Sequence, residues 1–168
     1  MLDEIKDDFL HILVCMYSYK VKSDHLDGAM LSHLLAAEIV CMNALAENII
    51  LRVARLGDKR KDVRSIKNLK KQLPSSLVAS AKREFDKFFL DVEPVLNIRH
   101  ERIAHMPEGT ITSYSVAPIP KSVQDSVINL MELIDKLNGD RMVYKFQVGR
   151  DTRGVNLREE IFIEGGWV

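Results

Sequence analysis

Apolar side chains return at Leu2, Ile5, Phe9, Ile12, Leu13 and Met16, a spacing that gathers one face of an α-helix. Asp3, Glu4, Asp7 and Asp8 stand near its start, where the helix dipole favours acids, so a helix is predicted from about Leu2 to Tyr19. "KSDHLDG" breaks the pattern. The next stretch, "AMLSHLLAAEIVCMNALAENIILRVARL", predicts a long helix from about Ala29 to Leu56, stopping before Gly57. It is apolar on more than one side, which suits a central place in a bundle. A third helix is expected from Ser75 or Ser76, either of which can cap it. Its apolar face is Leu77, Phe85, Phe88, Phe89, Val92, Leu96 and Ile103. Pro94 should kink or restart it, and Pro107 should end it while keeping Met106 out of the helical region. After the loop "PEGTITSYSVAPIPK" a fourth helix is expected from Ser122 to Leu137, with Ser122 and Asp125 as a capping box and Asn138-Gly139 as its stop.

The tail changes period. "RMVYKFQVG" and "VNLREEIFIEG" alternate apolar and polar around "RDTRG", which predicts a β-hairpin. The expected fold is therefore mainly α. A helical bundle occupies residues 1–139, and a hairpin tail at residues 140–168 packs on the same domain.

A length of 168 residues suits one domain with a real core, and 46% hydrophobic with 29% charged residues is ordinary for a soluble globular chain. The formal net charge is zero, so any affinity for nucleic acid must come from a local patch. Cys15 and Cys41 sit in apolar helical sequence without C-x-x-C spacing and read as buried free thiols of a cytosolic protein. The N-terminus opens acidic, unlike a signal peptide, and no stretch is expected to approach the roughly 18 apolar residues that cross a bilayer. These features predict a cytoplasmic chain with no membrane partner and no cofactor. No Gly-rich phosphate loop supports a nucleotide site.

One local patch stands out. Arg52 to Lys71 holds Arg52, Arg55, Lys59, Arg60, Lys61, Arg64, Lys67, Lys70 and Lys71 against Asp58 and Asp62 only. It reads either as a solvated helix end and connector or as a phosphate-facing surface.

A second candidate lies in "LNIRHERIAHMPEGT". "HERIAH" invites comparison with the zinc box H-E-x-x-H, in which histidines at i and i+4 share a helix face. His100 and His105 stand at i and i+5, about 140° apart in an α-helix, so no metal site is expected. Arg99 with His105 suggests different chemistry. An imidazole titrating near pH 6.5 exchanges protons at cellular pH, and a guanidinium forks onto phosphate oxygens. The bland alternative is a surface salt bridge from Arg99 to Glu101, Glu93 or Glu108, with His105 at a helix C-terminus.

"IRHERIAH" resembles the R-x(4–6)-H motif of the HEPN superfamily, most closely its abortive-infection AbiU type, and "NALAENIILRVARLGD" (residues 43–58) resembles the long helix of that type. The resemblance spans about Ala29 to Leu137. It implies a four- to five-helix bundle that dimerises, with paired Arg/His motifs in one composite cleft. It also implies metal-independent RNA cleavage in a toxin or phage-defence setting, where an antitoxin protein is a further partner. On that resemblance Arg99 is the motif arginine, His105 the motif histidine and His100 the intervening polar residue, with Glu38 or Glu47 near enough to orient them. The basic residues Arg52, Arg55, Lys59, Arg60, Lys61 and Arg64 would hold the RNA backbone. Pro107 stands where related sequences often carry an acid, and Glu108 follows it. The runner-up is a non-catalytic helical module that dimerises or binds protein.

Overall fold

The computed structural model of the chain describes residues 1–26, 28, 30–104 and 115–162. It is mainly α with one short hairpin. In chain order come α1 (Leu2–Asp24), α2 (Ser32–Gly57), α3 (Ile66–Gln72), α4 (Ser75–Ser80), α5 (Lys82–Ile98), a π-helical turn (Arg99–Ala104), α6 (Lys121–Asn138), β1 (Tyr144–Val148), β2 (Asp151–Val155) and α7 (Leu157–Phe162).

Helix α2 packs against α1, α5 and α6, and its C-terminal half is the centre of the bundle. Met42, Ala46, Ile49, Val53 and Leu56 fall on its inward face at helical spacing. Facing them are Phe9, Ile12 and Leu13 from α1, Phe85, Phe88 and Val92 from α5, and Val127, Leu130 and Ile134 from α6. The N-terminal half of α2 departs from the central place expected of it. Leu31 just ahead of it, then Leu34 and Val40, lie in solvent, and so does Cys41, which corrects the reading of both cysteines as buried. An 18-residue window of α2 has mean hydropathy 1.7, long and apolar enough to cross a membrane by length and composition, with 22% of the window buried in the fold. The expectation that no stretch approached that limit is corrected accordingly.

Gly57 is the last residue of α2 and also a packing residue. A Cβ there would lie 2.6 Å from Val92 Cγ2, so the missing side chain is what lets α5 approach α2. The expected third helix is divided. It breaks at Ala81 between α4 and α5, runs as α-helix through Pro94, and becomes π-helical at Arg99. Its expected serine cap is absent, because Pro74 occupies the N-cap of α4. The connector after α2 contains a further helix, α3, beyond the four that the periodicity predicts.

Helix α6 stops where expected, at Gly139 with φ 82°, a left-handed conformation that suits glycine. Its start differs: Pro120 is the N-cap, and no side chain caps the helix. In the tail, Tyr144 pairs opposite Val155 and Val148 opposite Asp151, with Gly149 in the turn. The predicted second strand, "VNLREEIFIEG", is largely wrong. Its first residue ends β2, and Leu157–Phe162 is helical. A strand would set Glu159 on the face of Leu157 and Ile161, whereas a helix buries those two one turn apart and leaves Glu159 out. Arg158 reaches Asp135 of α6 at 2.6 Å and Lys20 of α1 donates to the Glu160 carbonyl at 3.0 Å, which ties the tail to the bundle.

Candidate anion-binding cleft

Asp8 points inward from α1 and is only 8% exposed. Buried carboxylates need partners, and this one draws three guanidiniums. Arg55 donates from Nη2 to Oδ1, Arg64 Nε lies 2.9 Å from Oδ2, and Arg52 Nη1 lies 3.7 Å from Oδ1. Arg52 and Arg55 stand three residues apart in the last turns of α2, and Arg64 returns from the connector. The fit is incomplete among the described residues. Arg64 lies close to Asp8 Oδ2 without a well-aimed hydrogen bond, and Arg55 Nε is buried without an acceptor. Arg52 Nε also donates to Asn48 Oδ1 at 2.8 Å, near the Cys15 thiol. Burial pushes that thiol's pKa up, and the Arg52 charge opposes the rise.

The second carboxylate, Asp58, follows α2 directly. Arg60 donates its backbone N–H to Asp58 Oδ1 at 2.9 Å and its Nη2 to Oδ2 at 3.0 Å. Arg99 Nη1 approaches Oδ2 from the start of the π-helical turn, at 3.8 Å. The side-chain hydrogen bond from Arg60 holds the Asp58 carboxyl below the ordinary carboxylate value against the opposing effect of burial, helped by the charges of Arg60 and Arg99. Helix α3 fixes the loop that presents Arg60. Asn68 Nδ2 donates to the carbonyls of Arg60 at 2.8 Å and Val63 at 2.7 Å.

Together these residues form a cleft of about 380 Å³, walled by Arg52, Arg55, Arg60 and Arg99 around Asp58. With Arg64 and Asp8 behind the wall, five guanidiniums face two carboxylates. The surplus is positive, and guanidinium forks suit the oxygens of a phosphate.

The sequence-predicted residues divide. Arg52, Arg55, Arg60 and Arg99 meet in the cleft. Arg64 stands on Asp8, Lys59 is drawn to Glu93 at 2.9 Å, and Lys61 is exposed away from the wall. His100 is exposed beside Arg99 in the chain and is not part of the wall. His105, Pro107 and Glu108 lie outside the described residues. The partner of Arg99 is Asp58, not Glu93, which holds Lys59. Glu38 pairs with Lys22 at 2.6 Å and Glu47 is exposed off the wall, and the acid beside Arg99 is Asp58, just beyond α2.

Asp8 and Asn48 were missed. Asp8 carried a signal: it lies three residues after Ile5 and four before Ile12, on the apolar face of α1, where an acid must find a partner. The angular case against a metal also needs revision. The 140° separation assumes α geometry, whereas Arg99–Ala104 is π-helical, a rare form found often at functional sites. Among the described residues no three His, Cys, Asp or Glu side chains gather to hold an ion. No family model matches the chain, and no match to it is found among curated proteins or among solved structures.

Proposed function

We propose that the chain is a metal-independent endoribonuclease whose cleft holds an RNA phosphodiester. The observation that carries this reading is the entry of Arg99 into the same cleft as Arg52, Arg55 and Arg60, from an element remote in sequence. At 3.8 Å from Asp58 the Arg99 guanidinium is beyond hydrogen-bond distance, and among the described residues it makes no hydrogen bond that a ligand would have to displace. In this reading His105 takes the proton from a ribose 2′-OH. The 2′-oxygen bonds to the adjacent phosphorus, the bond from phosphorus to the 5′-oxygen breaks, and His100 supplies the proton that the leaving oxygen takes up. Arg99 steadies the charge of the phosphorane. Phosphate contacts from Arg52, Arg55 and Arg60 position the strand without reading bases.

A homodimer fits the same reading. Ala37, Val40 and Ala44 make an exposed apolar stripe on α2, and past Glu47 and Asn48 the same side carries Leu51, which also lies on the cleft wall. A second copy packed on that stripe would bring two clefts together. In the toxin or phage-defence setting that the HEPN resemblance implies, an antitoxin protein would hold the activity in check. The same stripe also favours the alternative, a dimerisation module without catalysis.

The test is incubation with total RNA in EDTA, beside Arg99→Ala and His105→Ala. Wild type should leave 2′,3′-cyclic phosphate ends, and each variant should cut at least about a hundredfold more slowly. If wild type leaves RNA intact while all three proteins sediment as folded dimers, the interaction module replaces the nuclease.

A further inference from the structure

The basic run is two surfaces, and only its arginine half belongs to the cleft. From α3 onward the cations are lysines, and they face elsewhere. Lys67, Lys70 and Lys71 share one side of α3 at helical spacing, and Lys82 faces them from the start of α5. Between them is a groove of about 590 Å³ with Leu73, Val78 and Ala79 as its floor. Beyond Lys82 an adjoining hollow runs on to Leu90, which is 74% exposed.

No carboxylate lines this groove, and none of its four lysines makes an ion pair among the described residues. Their contacts are weak or neutral. Lys67 donates to the Lys59 carbonyl at 3.0 Å, Lys71 lies 3.5 Å from Asn68 Oδ1, and Lys70 sits 4.9 Å above the Phe85 ring. Among the described residues no acid lines the groove itself, and Asp86, four residues after Lys82, lies in the adjoining hollow. Four like charges around an apolar floor repel one another, and an anionic ligand with an apolar face would answer both features.

The groove fits a protein segment better than a nucleic acid. Single-stranded RNA wants open aromatic faces for its bases, but Phe85 is buried and the Lys70 ammonium covers its ring. Lysine ammoniums are point charges without the fork that matches phosphate. An apolar floor with a charged rim is the arrangement that receives an amphipathic helix. We propose that this groove docks an acidic amphipathic helix of a partner protein, its apolar stripe on Leu73 and Val78 and its carboxylates on Lys67, Lys70, Lys71 and Lys82. The docking does not depend on the RNA reading.

Fluorescence anisotropy on the full chain tests it with defined probes. One is a labelled peptide of about 16 residues with leucines at one-turn spacing flanked by glutamates. The second has lysine for glutamate, the third has serine for leucine, and the fourth is an RNA of about twelve nucleotides. The Glu/Leu peptide should bind at least about tenfold more tightly than either peptide control. The double substitution Lys71→Glu, Lys82→Glu should weaken it by about tenfold or more, and so should Val78→Asp, with the circular dichroism melt of each variant kept close to that of wild type. Equal binding of the three peptides, or variants that bind like wild type, would overturn the proposal. So would substitutions that cost affinity for the RNA and not for the peptide, which would assign the lysines to a nucleic-acid path.

Discussion

Five arginines crowd the end of α2, with two carboxylates, Asp8 and Asp58, standing among them. Four lysines ring the groove beside α3, with no carboxylate among them in the described residues. Both surfaces take most of their cations from one basic run, with Arg99 added to the cleft and Lys82 to the groove, yet their electrostatics differ in kind. In the cleft the acids neutralise part of the charge and fix the guanidiniums in place, so a ligand meets donors that are already oriented. In the groove no described carboxylate stands among the lysines, and the ammoniums ride on flexible stems over an apolar floor. The cleft thus couples its charge to the fold, whereas the groove keeps its charge for something outside the fold.

The largest effect that separates the two should come from Asp8. It is buried, and three arginines depend on it. Asp8→Ala leaves those arginines crowded without a counter-charge. Because each is itself 23% to 41% exposed, water recovers part of the loss, and the cost should be about 2 kcal/mol in urea unfolding. A cost near zero would mean that the arginines are solvated neighbours of Asp8 and that the cleft is no more tied to the fold than the groove.

Asp58 should come next. Its carboxyl has a lowered pKa in the folded chain, first through the Arg60 hydrogen bond. A lowered folded value means that the stabilisation is present above the unfolded carboxylate value of 3.8 and is lost as pH falls through the folded value beneath it. Asp58→Asn should therefore cost about 1 kcal/mol at neutral pH, and wild type should lose that advantage as unfolding is measured in steps from about pH 6 to about pH 2. Parallel acid profiles for the two proteins would remove Asp58 from the set that anchors Arg60 and Arg99.

How much of this contrast was legible in the sequence depends on distance along the chain. The arginines of the cleft stood out as a local surplus of charge, and the face of α1 was plain from its period. The partner of Arg55 lies 47 residues away on another helix, and no local pattern reports a pairing at that separation. Gly57 looked like a helix stop because glycine commonly is one. Its second role, admitting Val92, belongs to the crossing of two helices and has no signature in either. The tail failed for another reason. "VNLREEIFIEG" fits two periods, and burial of Leu157 and Ile161 against the rest of the protein favours the helical one. The same limit concealed the groove, since Lys67, Lys70 and Lys71 were counted with the arginines, Lys82 was not singled out, and only the fold separates α3 from the connector before it.

The smallest expected effect is the sharpest check on the comparison. Lys71 and Lys82 are exposed, pair with no acid among the described residues and face their like-charged neighbours. Replacing both with alanine should change stability by less than about 0.5 kcal/mol, and toward greater stability, because repulsion is removed and little packing is lost. Salt should reproduce that gain in wild type. Raising it from about 0.05 M to about 0.5 M shortens the screening length to a few ångströms, and the urea midpoints of wild type and the double variant should then converge. Losses above about 1 kcal/mol would show that the lysines hold α3 against α5 and are structural after all. Small gains that salt erases would show instead that the fold tolerates this charge without using it, which is the condition for an acidic partner to gain from it.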